Sequence, residues 1–392
     1  MFTSIPQSWR HTFIENVTLR ELNDALVTLH VPAIVIITTL MIIGVIGNII
    51  VLRIYFPFSK SFSRVFFLWL GFVDLIACFF GKPLLLVSLY HPYEFPSVEA
   101  CKTFRFVQVF LVAASVFIFV FIAAERHRAI CSFEVVKMKT ARMHKMCLIS
   151  CIFAFIVAIP AVVLYGERTV RTGVFNITGI ECFVEDHFEE TNSILPKVYF
   201  LFQFAICLIA FVIMVVLYIR IGRQLKWRLK FSRSYTRAKP KIRSSYSNEL
   251  VLNTTKLPEV TSTTGSLLKT TRSQNSKQCS AHAPLETVDS SRSCQIDRVA
   301  SELTTMFCWL SVVFMLSFIP HLTIIVFQMF SPTFTQNMTP GGIITYNICL
   351  RTFVINNMAN PVMYLICMRD FRTECRKLFC KFRTCCRLKL SL

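Results

Sequence analysis

A cluster of charged residues ends a long apolar run in the first half of the chain. Residues 116–124 contain only Phe, Val, Ile and Ala, and Glu125, Arg126, His127 and Arg128 follow directly. Charge beside so much apolar surface is costly unless an opposite charge compensates it. Glu125 and Arg126 can form a charge-assisted pair. Taken alone, the pattern indicates an anchor at a membrane surface.

Further polar residues share one face of the same predicted helix. Arg105, Gln108, Ser115 and Arg126 are separated by 3, 7 and 11 residues, which are whole turns of an α-helix. Ionisable groups in apolar helices usually face the interior of a helix bundle. This polar face is therefore predicted to carry binding and switching functions rather than to contact lipid.

Isolated polar residues also occur in other apolar segments, at Asp74, Asn48 and Asn357. Asn356, Asn360 and Tyr364 recur every four residues and share a face, and Pro361 between them permits a kink. The apolar runs contain no His/Asp or His/His grouping at metal-ligand spacing, and His321 stands alone. The sequence therefore predicts no enzyme.

The elements that carry these residues are predicted to be membrane spans. The chain has 392 residues, of which 54% are hydrophobic, and Phe alone occurs 38 times. A soluble protein of this length is rarely so apolar. Seven runs are long enough to cross a bilayer as helices, at approximately 31–55, 64–90, 104–131, 143–165, 194–222, 299–328 and 343–368.

The basic residues predict the orientation of these spans. Segment 220–298 holds 16 Lys or Arg against five Asp or Glu, and the tail after residue 368 is also basic. Lys and Arg mark cytoplasmic loops, so the N-terminus is predicted to be extracellular and the C-terminus cytoplasmic, in a multi-pass plasma-membrane protein. The net charge of +20 is then a topology signal and does not indicate nucleic-acid binding.

The predicted domain organisation follows these boundaries. It comprises an extracellular segment, five helices, a loop, two helices and a tail, at 1–30, 31–223, 224–298, 299–368 and 369–392. The loop is rich in Ser, Thr, Lys and Arg and poor in aromatic residues, which predicts disorder. It is read either as a target of kinases or as a plain linker. In the tail, Phe371 and Phe379 lie among basic residues, as in an amphipathic helix on a membrane surface.

Cysteines and sequons divide between the two predicted sides. Cys101 and Cys182 fall outside, where an oxidising environment favours a disulfide, and Cys375, Cys380, Cys385 and Cys386 follow the last span, where they suit palmitoylation. Glycosylation sequons on the predicted outer side lie at Asn16, Asn176 and Asn337.

These motifs together resemble the rhodopsin-like (class A) G-protein-coupled receptors over roughly 31–382. The motifs that match are Gly47-Asn48, Leu70 with Asp74, Cys101 with Cys182, Glu125-Arg126-His127, Phe314 with Pro320, and Asn360-Pro361 through Tyr364. The resemblance implies an all-α membrane protein, namely a seven-transmembrane helix bundle with a short amphipathic eighth helix. It also implies heterotrimeric G proteins as partners, together with arrestin, receptor kinases and membrane lipids.

The resemblance implies a switch at the inner end of the bundle. Arg126 would be held by Glu125 at rest and would extend towards Tyr218 and Tyr364 when the sixth helix swings outward, which would open a groove for a G-protein α subunit. Phe314 and Phe318 would belong to this switch. The departures are His127 in place of a tyrosine, Phe318 in place of a tryptophan, and Ala210 in place of a proline.

The resemblance also implies a sodium site at Asp74, Ser115, Asn356 and Asn360, and no other cofactor. Hard oxygen ligands around one carboxylate suit a small cation. The alternative is a buried hydrogen-bond network bridged by water.

The ligand is predicted to be a neuropeptide or peptide hormone. Gln108 lies where amine receptors have an aspartate, and the outer segment around Gly173 and Gly179 alternates as a β-hairpin lid does in peptide receptors. Candidate ligand-binding residues are Gln108, Arg105, Lys82 and His321, whose basic members would suit an acidic group. The alternatives are a lipid or other non-peptide ligand, or a transporter in place of a receptor. A transporter would be expected to have internal repeats, and the sequence shows none.

Overall fold

The computed structural model describes residues 17–58, 64–131, 139–172, 174, 177–252, 285–330 and 338–389. The chain divides into two compact units, of which one comprises residues 1–219 with 303–392 and the other comprises residues 220–302. The first unit is a bundle of apolar helices, and it carries every side chain discussed below except the control positions Gly222 and Lys226, which belong to the second unit.

Six helices among the described residues are long and apolar enough to cross a membrane, at Leu19–Tyr55, Arg64–Tyr90, Val98–Cys131, Thr140–Leu164, Leu195–Arg228 and Glu302–Gln328. We number them spans 1 to 6. Large apolar side chains are exposed along every span but span 3, and examples are Ile36, Phe79 and Phe202. In water such surface would be unfavourable, whereas in a bilayer it contacts lipid.

The seventh span is present but broken, so neither helical piece alone has the length of a span. It consists of an α-helix at Pro340–Leu350, a 3₁₀ turn at Thr352–Val354 and a second α-helix at Ile355–Cys367. The sequence predicted one helix over 343–368. The 3₁₀ turn begins four residues before the polar Asn356, and it changes which side chains of the span share a face.

Span 1 begins twelve residues before the predicted start at residue 31. Thr18 and Glu21 form a capping box, in which the Thr18 side chain accepts from the Glu21 N–H and the Glu21 carboxylate accepts from the Thr18 N–H. Asn23 donates from Nδ2 to the Tyr90 carbonyl at 3.1 Å. Thr18 and Glu21 are typical of a helix start in the sequence. The polar composition of residues 19–30, however, did not indicate the beginning of a membrane span.

A π-helical turn interrupts span 2. The span comprises an α-helix at Arg64–Ile76, the π turn at Ala77–Gly81 and an α-helix at Lys82–Tyr90. The N–H of Lys82 donates to the carbonyl of Ala77, five residues earlier. Before the π turn in the same span, Trp69 donates from Nε1 to His144 Nδ1 of span 4 at 3.0 Å.

A β-hairpin and a disulfide close one end of the bundle, which we call the hairpin end. Strands β1 at Tyr165–Arg171 and β2 at Thr178–Val184 are antiparallel, which confirms the predicted hairpin. The Cys101–Cys182 disulfide joins span 3 to β2 and confirms the predicted pair. Burial acts to lower the pKa of Arg168 on β1, but its ion pairs with Glu181 and Glu189 outweigh burial and raise that pKa.

An amphipathic helix at Arg369–Lys389 follows span 7 at the opposite end, which we call the tail end. Its Phe371 is buried against Tyr55 and Tyr364, with ring centroids 5.8 and 6.0 Å apart. Cys375 is buried and Cys380 is exposed. The side chains of Cys385 and Cys386, and the sequon residues Asn16, Asn176 and Asn337, lie outside the described part of the chain.

Parts of the second unit are helical, and the disorder predicted for residues 224–298 stays a prediction. Helix Leu195–Leu252 continues from span 5 into this unit, and helix Leu285–Phe330 begins in it before span 6. Extending an existing helix avoids the cost of nucleating one, so polar residues can continue a helix that an apolar span has begun. Residues 253–284 of the predicted loop lie outside the described residues.

We predict that Gly47→Ala lowers the thermal stability of the protein. A Cβ added at Gly47 would lie 2.7 Å from Cγ of Pro361, and the proline ring cannot move aside as a flexible side chain can. Overpacking of this kind costs about 1–3 kcal/mol. The control is Gly222→Ala, where a Cβ meets no atom within 4 Å. Equal melting temperatures of the two purified variants would contradict this packing of span 1 against span 7.

Candidate functional site

A small cavity lies inside the bundle, between the hairpin end and the centre of the spans. Its volume of about 20 Å³ leaves room for one water molecule. Its wall combines residues of spans 2, 3, 6 and 7, including Lys82, Gln108, Ser115, Phe318 and Asn356. The structure thus brings together one or more members of each set that the sequence assigned separately to ligand binding, to sodium and to the switch.

Gln108 and Arg105 of span 3 have different surroundings. The Oε1 atom of Gln108 is buried and has no hydrogen-bond partner among the described residues, although the residue lines the cavity. Arg105 donates from Nη2 to the Cys182 carbonyl of β2 at 2.6 Å, and its guanidinium lies 5.1 Å from the ring centroid of Tyr165. Arg105 therefore joins span 3 to the hairpin, whereas Gln108 offers an unused acceptor.

His321 of span 6 is used to hold span 7. Its Nδ1 lies 2.5 Å from the carbonyl oxygen of Leu350, at the point where span 7 breaks. Its electrostatic neighbours are the cations Arg351, Arg105 and Lys82. The structure thus places His321 in a basic region and gives it a bridging role that the sequence did not predict.

Arg351 belongs to the same basic region. In one continuous helix Arg351 would face away from Asn360, nine residues later. The 3₁₀ turn at Thr352–Val354 changes the phase. Arg351 donates from Nη1 to Oδ1 of Asn347 at 2.6 Å and interacts electrostatically with Arg105.

A buried carboxylate organises the centre of the bundle. Asp74 is fully buried, and its two oxygens accept from Nδ2 of Asn357, at 2.8 Å, and from Nδ2 of Asn360. Asn48 donates from Nδ2 to the carbonyl of Asn357 at 2.9 Å. The sequence predicted Asp74 and Asn360 for this site, but it gave no role there to Asn357 or Asn48. Their residue types, each a polar amide in an apolar span, were the available signal.

The donor set at Asp74 fits a sodium ion poorly. Oδ1 of Asn360 and Oγ of Ser115 are buried without hydrogen-bond partners, and a cation would satisfy them. Both oxygens of Asp74, however, already accept amide N–H groups. The buried ammonium of Lys82 interacts electrostatically with the same carboxylate. The two groups form no direct ion pair among the described residues, and the Lys82 charge acts on the carboxylate over a longer distance.

A column of aromatic rings leads from the cavity towards the tail end. Phe318 lines the cavity and lies 4.6 Å, between ring centroids, from Phe314. Phe314 in turn packs 4.9 Å from Phe119 and 5.9 Å from Phe211. Phe314 and Phe318 therefore connect the cavity wall to spans 3 and 5. Phe318 fits without the larger indole ring because Phe353, at 6.1 Å, fills the adjacent space.

The tail end is closed around Arg126 by aromatic rings. Arg126 is only 3% exposed, and its guanidinium lies 5.7 and 5.8 Å from the ring centroids of Phe66 and Phe307. Phe67 stacks on Phe307 at 5.6 Å and contacts Tyr364 at 4.7 Å. Phe66, Phe67 and Phe307 did not stand out in the sequence, because the spans are rich in phenylalanine.

The ion pair of Glu125 differs from the one expected. Its carboxylate accepts from Nε and Nη2 of Arg128 at 3.1 and 3.2 Å, one helical turn later, and no ion pair with the adjacent Arg126 is formed. Neighbouring residues on a helix point in different directions, whereas residues three apart lie on one face. Glu125 is buried and Arg128 is partly exposed, so Arg128 keeps its charged group at the surface.

Tyr218 closes the tail end from span 5. Its hydroxyl donates to the carbonyl of Phe307 at 3.2 Å and accepts from Oγ of Ser311 at 3.1 Å, so it binds span 6 at two points. The hydroxyl of Tyr364 is buried and has no partner in the described part of the chain. The movement of Arg126 towards these two tyrosines stays a prediction.

Comparison with known proteins gives two results. The model of the family described as "7 transmembrane receptor (rhodopsin family)" matches residues 47–364. The annetocin receptor of Eisenia fetida is 27% identical over 192 residues, which are 47% of this chain and 44% of that receptor. The matched part therefore spans less than half the length of this relative.

We predict that Asp74→Ala and Asn357→Ala destabilise the protein non-additively. Removing the amide leaves a carboxylate oxygen without its donor, which costs about 1–3 kcal/mol, but in the absence of Asp74 that cost disappears. A double-mutant cycle on melting temperatures measures this coupling. Additive single effects would show that the 2.8 Å contact contributes nothing to stability.

Proposed function

Because the chain belongs to the rhodopsin family of seven-transmembrane receptors, we propose that it binds an extracellular peptide and activates heterotrimeric G proteins. It is a receptor and not an enzyme. One observation carries the proposal, namely the aromatic column of Phe318 and Phe314, which leads from a cavity of mixed polarity along span 6 towards the closed tail end that contains Arg126.

We propose that the hairpin end faces the outside of the plasma membrane and the tail end faces the cytoplasm. The disulfide at the hairpin end suits an oxidising exterior. The helix Arg369–Lys389 at the tail end is rich in basic residues, which favour the cytoplasmic side. The exposed Cys380 of this helix suits acylation better than the buried Cys375. Arrestin and receptor kinases are proposed as further partners at this end.

The proposed ligand site comprises Gln108 and Arg105, beneath the hairpin. Gln108 offers a buried acceptor without a protein donor, which suits a peptide N–H. Arg105 presents a guanidinium among Tyr165, Phe183 and the β2 backbone. Lys82 and His321 are proposed to shape the floor of this site, since one lines the cavity and the other fixes span 7. The similarity to a receptor named for annetocin supports a ligand of that class.

The proposed activation step opens the tail end. Span 6 supplies Phe307 both to the ring contact of Arg126 and to the hydrogen bond of Tyr218. An outward movement of span 6 would break both interactions together and expose Arg126. A ligand that moves Phe318 would transmit the change through Phe314, because the two rings are in direct contact.

We predict that Gln108→Ala and Arg105→Ala each weaken the potency of a peptide agonist, by about tenfold for the loss of one hydrogen bond of roughly 1.4 kcal/mol. Agonists are first identified with a peptide library on cells that express the receptor. Lys197→Ala is the matched control, because Lys197 is exposed on span 5. If both variants keep wild-type potency, the ligand-site assignment is wrong.

We predict that Arg126→Ala abolishes agonist-stimulated GTPγS exchange on added G proteins while leaving agonist affinity within a few-fold of wild type. The substitution removes the cation that the opened groove would present, without touching the hairpin end. Lys226→Ala, on the same cytoplasmic side, controls for a general loss of positive charge. Retained exchange in Arg126→Ala would exclude this switch, and a response to lipids but to no peptide would favour a non-peptide ligand.

A further inference from the structure

We propose that the ammonium of Lys82 acts as a built-in counter-cation for Asp74, so that this receptor does not use a sodium ion at the centre of its bundle. The proposal corrects the sodium site expected from the resemblance. It does not rest on the identity of the ligand or on G-protein coupling.

The π turn in span 2 brings Lys82 to the face of Asp74. In a regular α-helix, a residue eight positions after Asp74 is rotated by roughly 80° from the face of Asp74. The π turn at Ala77–Gly81 takes in about one extra residue, which returns Lys82 to within roughly 20° of that face. From the sequence, Lys82 was predicted to be a ligand-binding residue, and no role beside Asp74 was assigned to it.

The surroundings of Lys82 require an anion inside the bundle. Lys82 is only 5% exposed and lines the cavity together with Ser115, Asn356 and Asn357. Its Nζ lies 4.9 Å from the ring centroid of Phe353, and a cation–π contact of this kind offsets only part of the cost of burying a charge. Asp74 is the acidic residue with which its charge interacts.

The surroundings of Asp74 lead to the same conclusion. A fully buried carboxylate needs an opposite charge as well as hydrogen bonds. Asn357 and Asn360 donate hydrogen bonds but are neutral. The two buried charges lie on one helix with the amide of Asn357 between the carboxylate and the cavity. A sodium ion added there would face the Lys82 ammonium and would be repelled.

The remaining space agrees with this arrangement. The cavity beside this site, whose wall includes Lys82 and Ser115 but neither Asp74 nor Asn360, has a volume of about 20 Å³ and holds one water molecule. One water could satisfy the buried Oγ of Ser115 and accept a hydrogen bond from an ammonium. We therefore infer that lysine and water take the place that a metal ion with water would occupy.

The test measures sodium binding directly on the purified full-length receptor. Melting temperatures are compared in NaCl and in N-methyl-D-glucamine chloride at equal ionic strength. The wild type is expected to show no sodium-specific shift. Lys82→Met, which keeps the length but removes the charge, is expected to gain a saturable rise of about 3 °C or more in NaCl. Lys82→Arg should remain insensitive to sodium, and Lys197→Met is the control for an exposed lysine.

A second measurement keeps the proposal falsifiable if Lys82→Met does not fold. The ²³Na NMR signal of a NaCl solution is recorded with the wild type and with Asp74→Asn. Specific broadening by the wild type that Asp74→Asn abolishes would overturn the proposal, as would a saturable sodium-dependent rise in the wild-type melting temperature. Equal, non-specific broadening by both proteins supports it. Neither readout requires a ligand or a G protein, so failure here would leave the proposed receptor function untouched.

Discussion

The structure depends on the need to satisfy the charge of Asp74 inside an apolar bundle. An isolated buried carboxylate would cost several kcal/mol, so the neighbouring spans are arranged to compensate it. Span 7 provides the amides of Asn357 and Asn360, and span 1 holds Asn357 through Asn48. Gly47 permits this approach, because its missing Cβ leaves space for the ring of Pro361. One polar group thereby fixes the relative positions of spans 1, 2 and 7.

Two backbone irregularities place the polar side chains around that group. The π turn in span 2 carries Lys82 to the interior. The 3₁₀ turn in span 7 changes the helical phase of Arg351 relative to the asparagines. Irregular turns of this kind are frequent at functional sites. The cavity wall lies between the two turns, so the same irregularities that compensate Asp74 also determine which residues a ligand can reach.

Much of this arrangement could be predicted from the sequence, and the remainder depends on those irregular turns. The spans, the Cys101–Cys182 disulfide and the hairpin followed from hydropathy, compartment and alternation. The interaction of Lys82 with Asp74 and the basic neighbourhood of Arg351 did not follow, because a phase argument assumes a regular helix. The partner of Glu125 was also missed, since a pair adjacent in sequence was preferred to Arg128 one turn away. The aromatic contacts of Arg126 were hidden among 38 phenylalanines.

The closed tail end is held by interactions of a size that a ligand can overcome. The contact of Arg126 with Phe307 is worth about 0.5–2 kcal/mol, and the hydrogen bond from Tyr218 to the Phe307 carbonyl about 0.5–1.5 kcal/mol. Both involve one residue of span 6, so a single displacement removes both. Their sum is comparable to the 1–3 kcal/mol by which two sites in a protein are typically coupled. Glu125 forms its ion pair with Arg128 and adds an electrostatic attraction to Arg126. The resting state is therefore closed by aromatic packing against span 6, and the movement of that span is what would expose the arginine.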